Sequence, residues 1–298
     1  MDDLPAIRSA EDAAAVFEEL RPRLVGVAYS LIGSLAEAED AVQEAWIRLQ
    51  RSDRDEIRDL TGWLVTTTSR IALDVLGSAR SRRETYVGPW LPEPVETAPD
   101  PADSVGLADQ LSWAMLVVLE TLSPAERATF VLHDVFGMSF PEVGQVLGRA
   151  PAACRKLASR AREHVEARQP RFDVDPAAHR EVVAAFGRAT ASGDIDGLLS
   201  LLAPDAVLTS DGGGVVRALT RPVHGAAEIT AFLASVAGRT AVDARPGAVN
   251  GSPALLIFEE GRLSSVFVLG IRGGRISTVD AIRNPHKFHG LRTLTAGD

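Results

Sequence analysis

The period of the hydrophobic pattern changes near residue 170, and this change limits what the 298-residue chain can fold into. Upstream, apolar residues recur at helical spacing, as they do from Leu24 to Leu31. Downstream, glycines separate apolar runs of strand length, among them 241–249 and 276–282. The chain is also longer than the ~250 residues at which a single core usually stops growing. We therefore expect an all-helical part and then an α+β part, with the boundary at 169–176.

A proline-rich segment divides the helical part. Residues 88–104 have the sequence GPWLPEPVETAPDPADS, whose five prolines lack a backbone donor and fix φ. Before this segment we expect two helices separated by Gly33-Ser34 and a third that begins near residues 59–61. The predicted organisation is a helical domain over 8–87, a linker over 88–106, a second helical domain over 107–169 and an α+β domain over 175–290.

The second helical domain carries a helix-turn-helix pattern. Ser123 and Pro124 are typical of a helix start, and Glu126 completes a capping box. SFPEVGQVLG predicts a short helix that ends at Gly148, and APAACRKLASRAREHVEARQ predicts a longer helix after a tight turn. The charged and hydroxyl side chains of that longer helix suit the DNA major groove, although a plain basic amphipathic helix gives the same pattern. These candidate residues are Arg155, Lys156, Ser159, Arg160 and Arg162.

Two further groups of charged residues lie in the first helical domain. The second helix contains acids and an indole in AEDAVQEAWIRL, which indicate either a solvated acidic face or a protein-binding surface. The third helix ends in a basic segment able to contact phosphates and unstacked bases, and ordinary cationic residues at a helix C-terminus are the alternative. The first group is Asp40, Gln43, Glu44 and Trp46, and the second is Arg70, Arg80, Arg82 and Arg83.

Overall charge and cysteine content exclude several classes of protein. The net charge of −9 taken alone argues against nucleic acid binding, so a DNA-binding surface requires locally concentrated positive charge. The single cysteine, Cys154, excludes a disulfide framework and a zinc site built from several cysteines, and we expect neither metal nor cofactor. An acidic N-terminal segment, without any run of ~20 apolar residues, predicts a cytoplasmic protein with no membrane contact.

Two long segments resemble extracytoplasmic-function sigma factors of bacterial RNA polymerase. FEELRPRLVGVAYSLIGSLAEAEDAVQEAWIRL, followed by TGWLVTTTSRIALDVL, resembles their region 2, and LSPAERATFVLHDVFGMSFPEVGQVLGRAPAACRKLASRAR resembles their region 4. The resemblance implies a transcription initiation factor, not an enzyme, that binds promoter DNA and the β′ and β subunits of core RNA polymerase.

The same resemblance implies a role for each group of candidate residues. It assigns the acidic group to the clamp helices of β′, the third helix to the −10 element and the helix after the turn to the −35 element. Arg70 stands where the family usually has asparagine. The implied sets are Asp40, Gln43, Glu44 and Trp46 for polymerase; Trp63, Arg70, Arg80, Arg82 and Arg83 for −10 DNA; and Arg155, Lys156, Ser159, Arg160 and Arg162 for −35 DNA.

Three short motifs extend the resemblance to the C-terminal part. WLPEP at 90–94, DGGG at 211–214 and NPHKF at 284–288 are similar to motifs of the sigma factor subclass that carries a fused SnoaL-like or NTF2-like domain. This implies an α+β cone that contacts the sigma domains and controls their activity, whereas a hairpin at DGGG and a rigid spacer at WLPEP are the plain alternatives. The implied regulatory contacts are Trp90, Leu91, Pro92, Asp211, Gly212, Gly213, Gly214, Asn284, Pro285 and Lys287.

Two other functions are open for the C-terminal domain. NTF2-like folds host isomerases, cyclases and dehydratases, and the polar residues available for catalysis are Asp211, His224, Asp280 and Arg283. No pair of these has a spacing that indicates a reaction, so we expect no enzyme. The remaining alternative is a pocket in the cone that binds a small regulatory ligand.

Overall fold

Two units with different secondary structure make up the chain in the computed structural model. The structure describes residues 10–53, 56–84, 86–97, 111–168, 176–236 and 242–291, apart from the side chains of 10, 79–84, 168, 176 and 242. The C-terminal unit includes residues 88–97 of the predicted linker and residues 111–118, which are the first described residues after it. The helical unit contains the described residues of 10–81 and 119–167, and the C-terminal unit those of 82–97, 111–118 and 168–291.

Three long helices begin the helical unit. Ser34 separates the first two, because its side chain accepts a hydrogen bond from the Glu37 amide at 3.4 Å, which confirms the predicted start of the second helix. Leu24, Val42 and Leu64, one from each helix, are fully buried. Among the described residues, none of the helices has both the length and the apolar character needed to cross a membrane. The three helices are α1 (Ala10–Ile32), α2 (Leu35–Arg51) and α3 (Leu60–Glu84).

Capping boxes begin two helices of the second helical domain. Ser123 and Ser139 each accept a hydrogen bond from the amide of the glutamate three residues later, and that glutamate bonds back to the serine amide. Gly148 ends the shorter helix of the helix-turn-helix in the left-handed conformation, with φ +62°. The predicted helix-turn-helix is therefore confirmed. The helices are α4 (Trp113–Leu119), α5 (Pro124–Thr129), α6 (Phe140–Leu147) and α7 (Pro151–Arg168).

A buried arginine connects the start of α5 to α1 within the helical unit. Arg127 is 1% exposed, and its Nη1 lies 2.8 Å from Glu120 Oε1. Its Nε donates a hydrogen bond to the carbonyl of Ser30 at 3.1 Å. An unpaired charge is costly in a protein core, so the ion pair and the carbonyl explain how this position accommodates an arginine.

A six-stranded mixed sheet forms the core of the C-terminal unit, in the order β2-β1-β6-β5-β4-β3. The last four strands in the chain are antiparallel neighbours, as their glycine-separated runs predict. The parallel pairing of β1 with β6 and the two-residue β2 were not predicted. The elements are α8 (Pro176–Ser192), α9 (Ile195–Leu201), β1 (Leu202–Asp211), β2 (Val223–His224), α10 (Ala226–Val236), β3 (Val242–Val249), β4 (Ser252–Glu259), β5 (Arg262–Arg272) and β6 (Arg275–Ile282).

Different parts of the chain cover the two faces of this sheet. The helices α8, α9 and α10 cover one face with buried residues that include Phe186 and Leu233. This arrangement confirms the predicted α+β, NTF2-like class. On the other face, Leu91 and Trp113 pack against strand residues such as Val268. The WLPEP segment and the start of α4 therefore form part of the core of the C-terminal unit.

Removal of the Ser139 side chain tests the capping box of α6. Ser139→Ala takes away the acceptor of the Glu142 amide, so we expect the free energy of unfolding of the helical unit to fall by ~1 kcal/mol. Ser139→Asp keeps an acceptor and should be nearly neutral. Urea unfolding followed by circular dichroism measures both variants, and an equal loss in the two would contradict the cap.

Candidate functional site

The helix α7 has one buried and one exposed side. Ala158 and Ala161 are fully buried together with Cys154, and burial raises the pKa of the Cys154 thiol. All of the candidate −35 residues lie on the exposed side. The helix therefore presents positive charge and a hydroxyl group on the side opposite to its apolar contacts. The exposed residues are Arg155, Lys156, Ser159, Arg160 and Arg162.

Two of these arginines contact neighbouring parts of the helix-turn-helix. Arg162 Nε lies 2.7 Å from Asp134 Oδ1. The guanidinium carbon of Arg155 lies 5.5 Å from the centroid of the Phe140 ring, and that ring stacks on His133 with centroids 3.9 Å apart. His133 and Asp134 belong to a π-helical turn after α5, a rare feature that often occurs at functional sites. The sequence carries no signal for these contacts, because the partners lie on separate elements.

A cavity of about 390 Å³ lies in the helical unit, where α2 ends and α3 begins. Two of the candidate −10 residues, Trp63 and Arg70, line it, and Arg70 also donates a hydrogen bond to the carbonyl of Gln145 at 2.7 Å. Guanidinium groups, hydroxyls and an indole are the side chains that hold phosphates and unstacked bases. The α2 residues of the cavity were not predicted, although two arginines in the last turn of α2 are visible in the sequence. The lining residues are Arg48, Arg51, Ser52, Trp63, Thr67 and Arg70.

The other −10 candidates lie at the C-terminal end of α3. The backbone of Arg80, Arg82 and Arg83 continues this helix. Their side chains lie outside the described residues. Their assignment to −10 DNA therefore stays a prediction.

The candidate polymerase-binding residues divide into two sets. Asp40 and Gln43 are exposed on α2. Glu44 forms an ion pair within its own helix, and Trp46 packs on Phe17 of α1 with ring centroids 4.7 Å apart. Of these four candidates, Asp40 and Gln43 are therefore the most accessible to a partner. Trp46 also stabilises the contact between α1 and α2.

A buried carboxylate brings the three C-terminal motifs together. Asp211, the last residue of β1, has no exposed surface. Its Oδ1 accepts the Tyr86 hydroxyl at 2.6 Å, and its Oδ2 accepts the Leu91 amide at 2.8 Å and the Lys287 ammonium at 2.6 Å. Three donors, one of them charged, offset much of the cost of burying a carboxylate. We name Tyr86, Trp90, Leu91, Asp211, Asn284 and Lys287 the Asp211 cluster.

Lys287 and Asn284 complete this cluster. The Lys287 Nζ lies 3.2 Å from the centroid of a Trp90 ring and donates a hydrogen bond to the Leu91 carbonyl. Asn284 Nδ2 donates a hydrogen bond to the Tyr86 hydroxyl oxygen at 3.0 Å. WLPEP, DGGG and NPHKF therefore meet at one point. Tyr86 was not predicted, because it lies outside all three motifs.

The glycines of DGGG allow the motifs to come this close. Gly213 has φ +62°, and a Cβ at this position would lie 2.3 Å from Asn284 Nδ2. A Cβ at Gly212 would lie 2.5 Å from Ala218 Cβ, and one at Gly214, where φ is +72°, would contact the neighbouring segment. Larger residues would therefore separate DGGG from NPHKF.

NPHKF contains a tight turn that directs one side chain inward. Asn284 Oδ1 accepts the His286 amide at 3.0 Å, and Pro285 begins a 3₁₀ turn. Pro285 and His286 are exposed, whereas Lys287 is only 5% exposed. Pro92, the remaining regulatory candidate, is buried.

The polar residues considered for catalysis do not share a site. Asp211 belongs to the cluster above, and His224 is exposed on β2. Arg283 bonds a serine hydroxyl and a backbone carbonyl, and Asp280 accepts the indole N–H of Trp113 at 2.9 Å. Within the part of the chain that the structure describes, no three His, Cys, Asp or Glu side chains could hold a metal ion.

Asp280 lies in an apolar environment. It is 7% exposed and faces Trp113 on the sheet face that also carries Val268 and Ile282. Burial raises the pKa of the Asp280 carboxyl from 3.8 to about 6, and the hydrogen bond from Trp113 opposes this effect. A protonated carboxyl therefore fits this position better than an ionised one.

Comparisons with known proteins match both helical domains and more than nine-tenths of the chain. Sigma-70 region 2 matches residues 16–83, and sigma-70 region 4 matches residues 112–165. The ECF RNA polymerase sigma factor SigJ of Mycobacterium tuberculosis is 41% identical over 295 residues, which cover 92% of each chain. The probable ECF RNA polymerase sigma factor SigI of the same species is 35% identical, over 96% of this chain and 98% of the relative.

A solved structure is similar to this chain over most of its length. The crystal structure of the extracytoplasmic-function sigma factor SigJ from Mycobacterium tuberculosis aligns with a TM-score of 0.73 and 38% sequence identity. The alignment covers 93% of this chain and 98% of that one, so it includes the C-terminal unit as well as the helical unit.

Substitution of Asp280 tests its raised pKa. The Asp280 carboxyl has a pKa of about 6 in the folded state and 3.8 in the unfolded state. Its ionisation therefore makes folding less favourable as the pH rises through that range. Asp280→Asn removes the charge and keeps an acceptor for Trp113. We expect it to raise the free energy of unfolding at neutral pH by up to ~3 kcal/mol, with no gain near pH 4.

Chemical unfolding across this pH range measures the effect. Asp196→Asn, an exposed change on α9, is the control and should show no such pH-dependent gain. A gain for Asp280→Asn that is equal at every pH would contradict the raised pKa.

Proposed function

The chain belongs to the extracytoplasmic-function sigma factors of RNA polymerase, and on that premise we propose that α7 binds the −35 element of its promoters. The observation that carries this proposal is the separation of the two sides of α7, with every candidate residue exposed and Cys154, Ala158 and Ala161 buried. A recognition helix in the major groove needs this division. Arg155 and Arg162 are also oriented by Phe140 and Asp134, which favours a defined geometry on DNA.

For the −10 element, we propose the cavity between α2 and α3 as the binding site for unstacked bases and their phosphates. Trp63 offers a ring for stacking, and Arg48, Arg51 and Arg70 offer positive charge around it. Arg70 donates to the Gln145 carbonyl of α6, so DNA must compete with this hydrogen bond. The proposed −10 surface continues along α3 to Arg80, Arg82 and Arg83.

For polymerase, we propose that α2 docks on the β′ clamp helices through Asp40 and Gln43, next to Glu44 and Trp46, and that the complex also involves β. Exposure of Asp40 and Gln43 supports this role. Since its partners are core RNA polymerase and promoter DNA, we infer that the protein acts in the cytoplasm. The chain then contributes binding energy and strand separation, while the polymerase performs the chemistry.

For the C-terminal domain, over 175–290, we propose intramolecular control of the sigma domains through the 88–106 segment. The Asp211 cluster supports this proposal, because it fixes Tyr86, Trp90 and Leu91 to the C-terminal unit by hydrogen bonds, an ion pair and a cation–π contact. Buried side chains such as Phe186 and Leu233 fill the contact between the sheet and its helices. A small ligand is therefore not part of the proposal.

Removal of one exposed arginine tests the role of α7. We expect Arg160→Ala to lower run-off transcription from a −35-dependent promoter about tenfold, the effect of losing one base or phosphate contact worth ~1.4 kcal/mol. Binding to core polymerase should not change. The control is Arg188→Ala, an exposed arginine on α8, which should transcribe like the wild type. Equal loss of core binding in Arg160→Ala would show that α7 has a structural role instead.

Neutralisation of Lys287 tests control by the C-terminal domain. Lys287→Met keeps the length of the side chain but leaves Asp211 without its charged partner, which weakens the hold on Leu91 and Trp90. We expect run-off transcription by the full-length protein to change at least about threefold with core binding intact. This change corresponds to ~0.7 kcal/mol in the coupling free energy between the C-terminal domain and the sigma domains.

The control for this experiment is Arg188→Met, which removes a charge from the same unit at an exposed position. Asp211→Asn provides a second variant, because it weakens the same ion pair and keeps an acceptor for the Leu91 amide. Wild-type transcription by both folded cluster variants would rule out control through this cluster.

A further inference from the structure

One of the two residues at the tip of the β3–β4 hairpin, Asn250, is buried, which is unusual for a two-residue turn. Val249 pairs with Ser252, so Asn250 and Gly251 form the connection, with φ +47° and +68°. These positive values are those of the Asn-Gly turn that favours hairpins. Turn tips normally face solvent, yet Asn250 has no exposed surface. Another part of the C-terminal unit must therefore cover it.

Two separate segments cover this turn. From the predicted linker, the Val95 amide donates to Asn250 Oδ1 at 3.0 Å, the Asn250 amide donates to the Val95 carbonyl at 2.9 Å, and the Gly251 amide donates to Thr97 Oγ1 at 2.8 Å. From the start of α4, the Trp113 amide donates to the Asn250 carbonyl at 3.2 Å. One hairpin turn therefore holds the chain on both sides of residues 98–110.

Trp113 is the main side-chain contact of the second segment. The residue is 3% exposed and packs among buried residues of β3 to β6, and its Nε1 donates to Asp280 Oδ2 at 2.9 Å. Trp113 is also within the segment that matches sigma-70 region 4, residues 112–165. The first turn of region 4 therefore packs in the core of the C-terminal unit, while the helical unit resumes at Leu119.

The contact at Asp280 is less complete than the one at Asp211. The Asp211 carboxylate has a lysine partner and two further donors, whereas the Asp280 carboxylate has one neutral donor among the described residues. A buried carboxylate with a neutral partner makes the contact costly, because an ionised group loses its hydration. Departure of Trp113 would expose Asp280 to water and recover part of that cost, so the contact is suited to reversible opening.

We propose that Asn250 and Asp280 form a releasable docking site for the first turn of region 4, through which the C-terminal domain sets the position of the −35-binding helices. This site, with Val95, Thr97 and Trp113, is separate from the Asp211 cluster. The inference rests on the proposed control by the C-terminal domain and identifies a second point at which that control acts.

Amide hydrogen exchange of the full-length protein tests the docking directly. The first amides of a helix have no acceptor within the helix, so protection of the Trp113 amide reports on its bond to Asn250. Trp113→Phe removes the indole donor, and we expect exchange at residue 113 to become about fivefold faster, equivalent to ~1 kcal/mol. Asp280→Asn removes the charge and keeps an acceptor, and we expect slower exchange at the same amide.

Restriction of these changes to residue 113 distinguishes docking from a general change in the stability of the C-terminal unit. Trp46→Phe, a matched change in α2, should leave exchange at residue 113 unchanged. The amides of Tyr86, Trp90 and Leu91 in the Asp211 cluster should also keep their exchange rates in Trp113→Phe. Unchanged exchange at 113, or equal acceleration throughout the C-terminal unit, would overturn the docking site.

Run-off transcription with the same variants tests the consequence for region 4. We expect Trp113→Phe and Asp280→Asn to shift promoter-specific transcription in opposite directions with core binding intact. Wild-type activity of both variants, despite the expected exchange, would overturn the role of the site in positioning region 4. Failure of the Lys287→Met experiment would instead refute control through the Asp211 cluster, and the exchange measurement is independent of that result.

Discussion

The burial of the Asp211 carboxylate is the constraint on which much of the C-terminal unit depends. A carboxylate without exposed surface requires donors on each oxygen, and here they come from Tyr86, Leu91 and Lys287. Tyr86 and Leu91 lie on one segment and Lys287 on another, both far from Asp211 in the sequence, so satisfying one side chain brings three segments together. The glycines after Asp211 follow from the same constraint, because a Cβ at Gly213 would occupy the space of Asn284.

The apolar second face of the sheet imposes a related requirement. A sheet with helices on one side still exposes its other face, and strand residues such as Val268 must be covered. This chain covers them with Leu91 and Trp113, which come from the segments before and after residues 98–110. The segment between the sigma domains is therefore attached to the domain proposed to control them. Residues 90–97 make tertiary contacts, so they are not a simple spacer.

Local patterns predicted the helices and most strands, because capping boxes, prolines and glycines act over a few residues. Ser123, Ser139 and Gly148 begin and end their helices as expected. Contacts between distant segments were harder to predict. The parallel pairing of β1 with β6, the role of Tyr86 and the α2 side of the cavity depend on which elements become neighbours in space. A hydrophobic pattern does not contain that information, and the motif resemblance supplied it only for the residues within the motifs.

Asp211 and Asp280, two of the buried carboxylates of the C-terminal unit, differ in a way that fits two tasks. Asp211 is saturated by an ammonium and two neutral donors, so separating its partners would leave a buried charge with few contacts. Asp280 has a neutral indole partner and gains hydration when that partner leaves. The Asp211 cluster is therefore suited to permanent attachment of the WLPEP segment, and the site at Asn250 and Asp280 to reversible attachment of α4. A domain attached in this way can release region 4 while it remains bound to the linker.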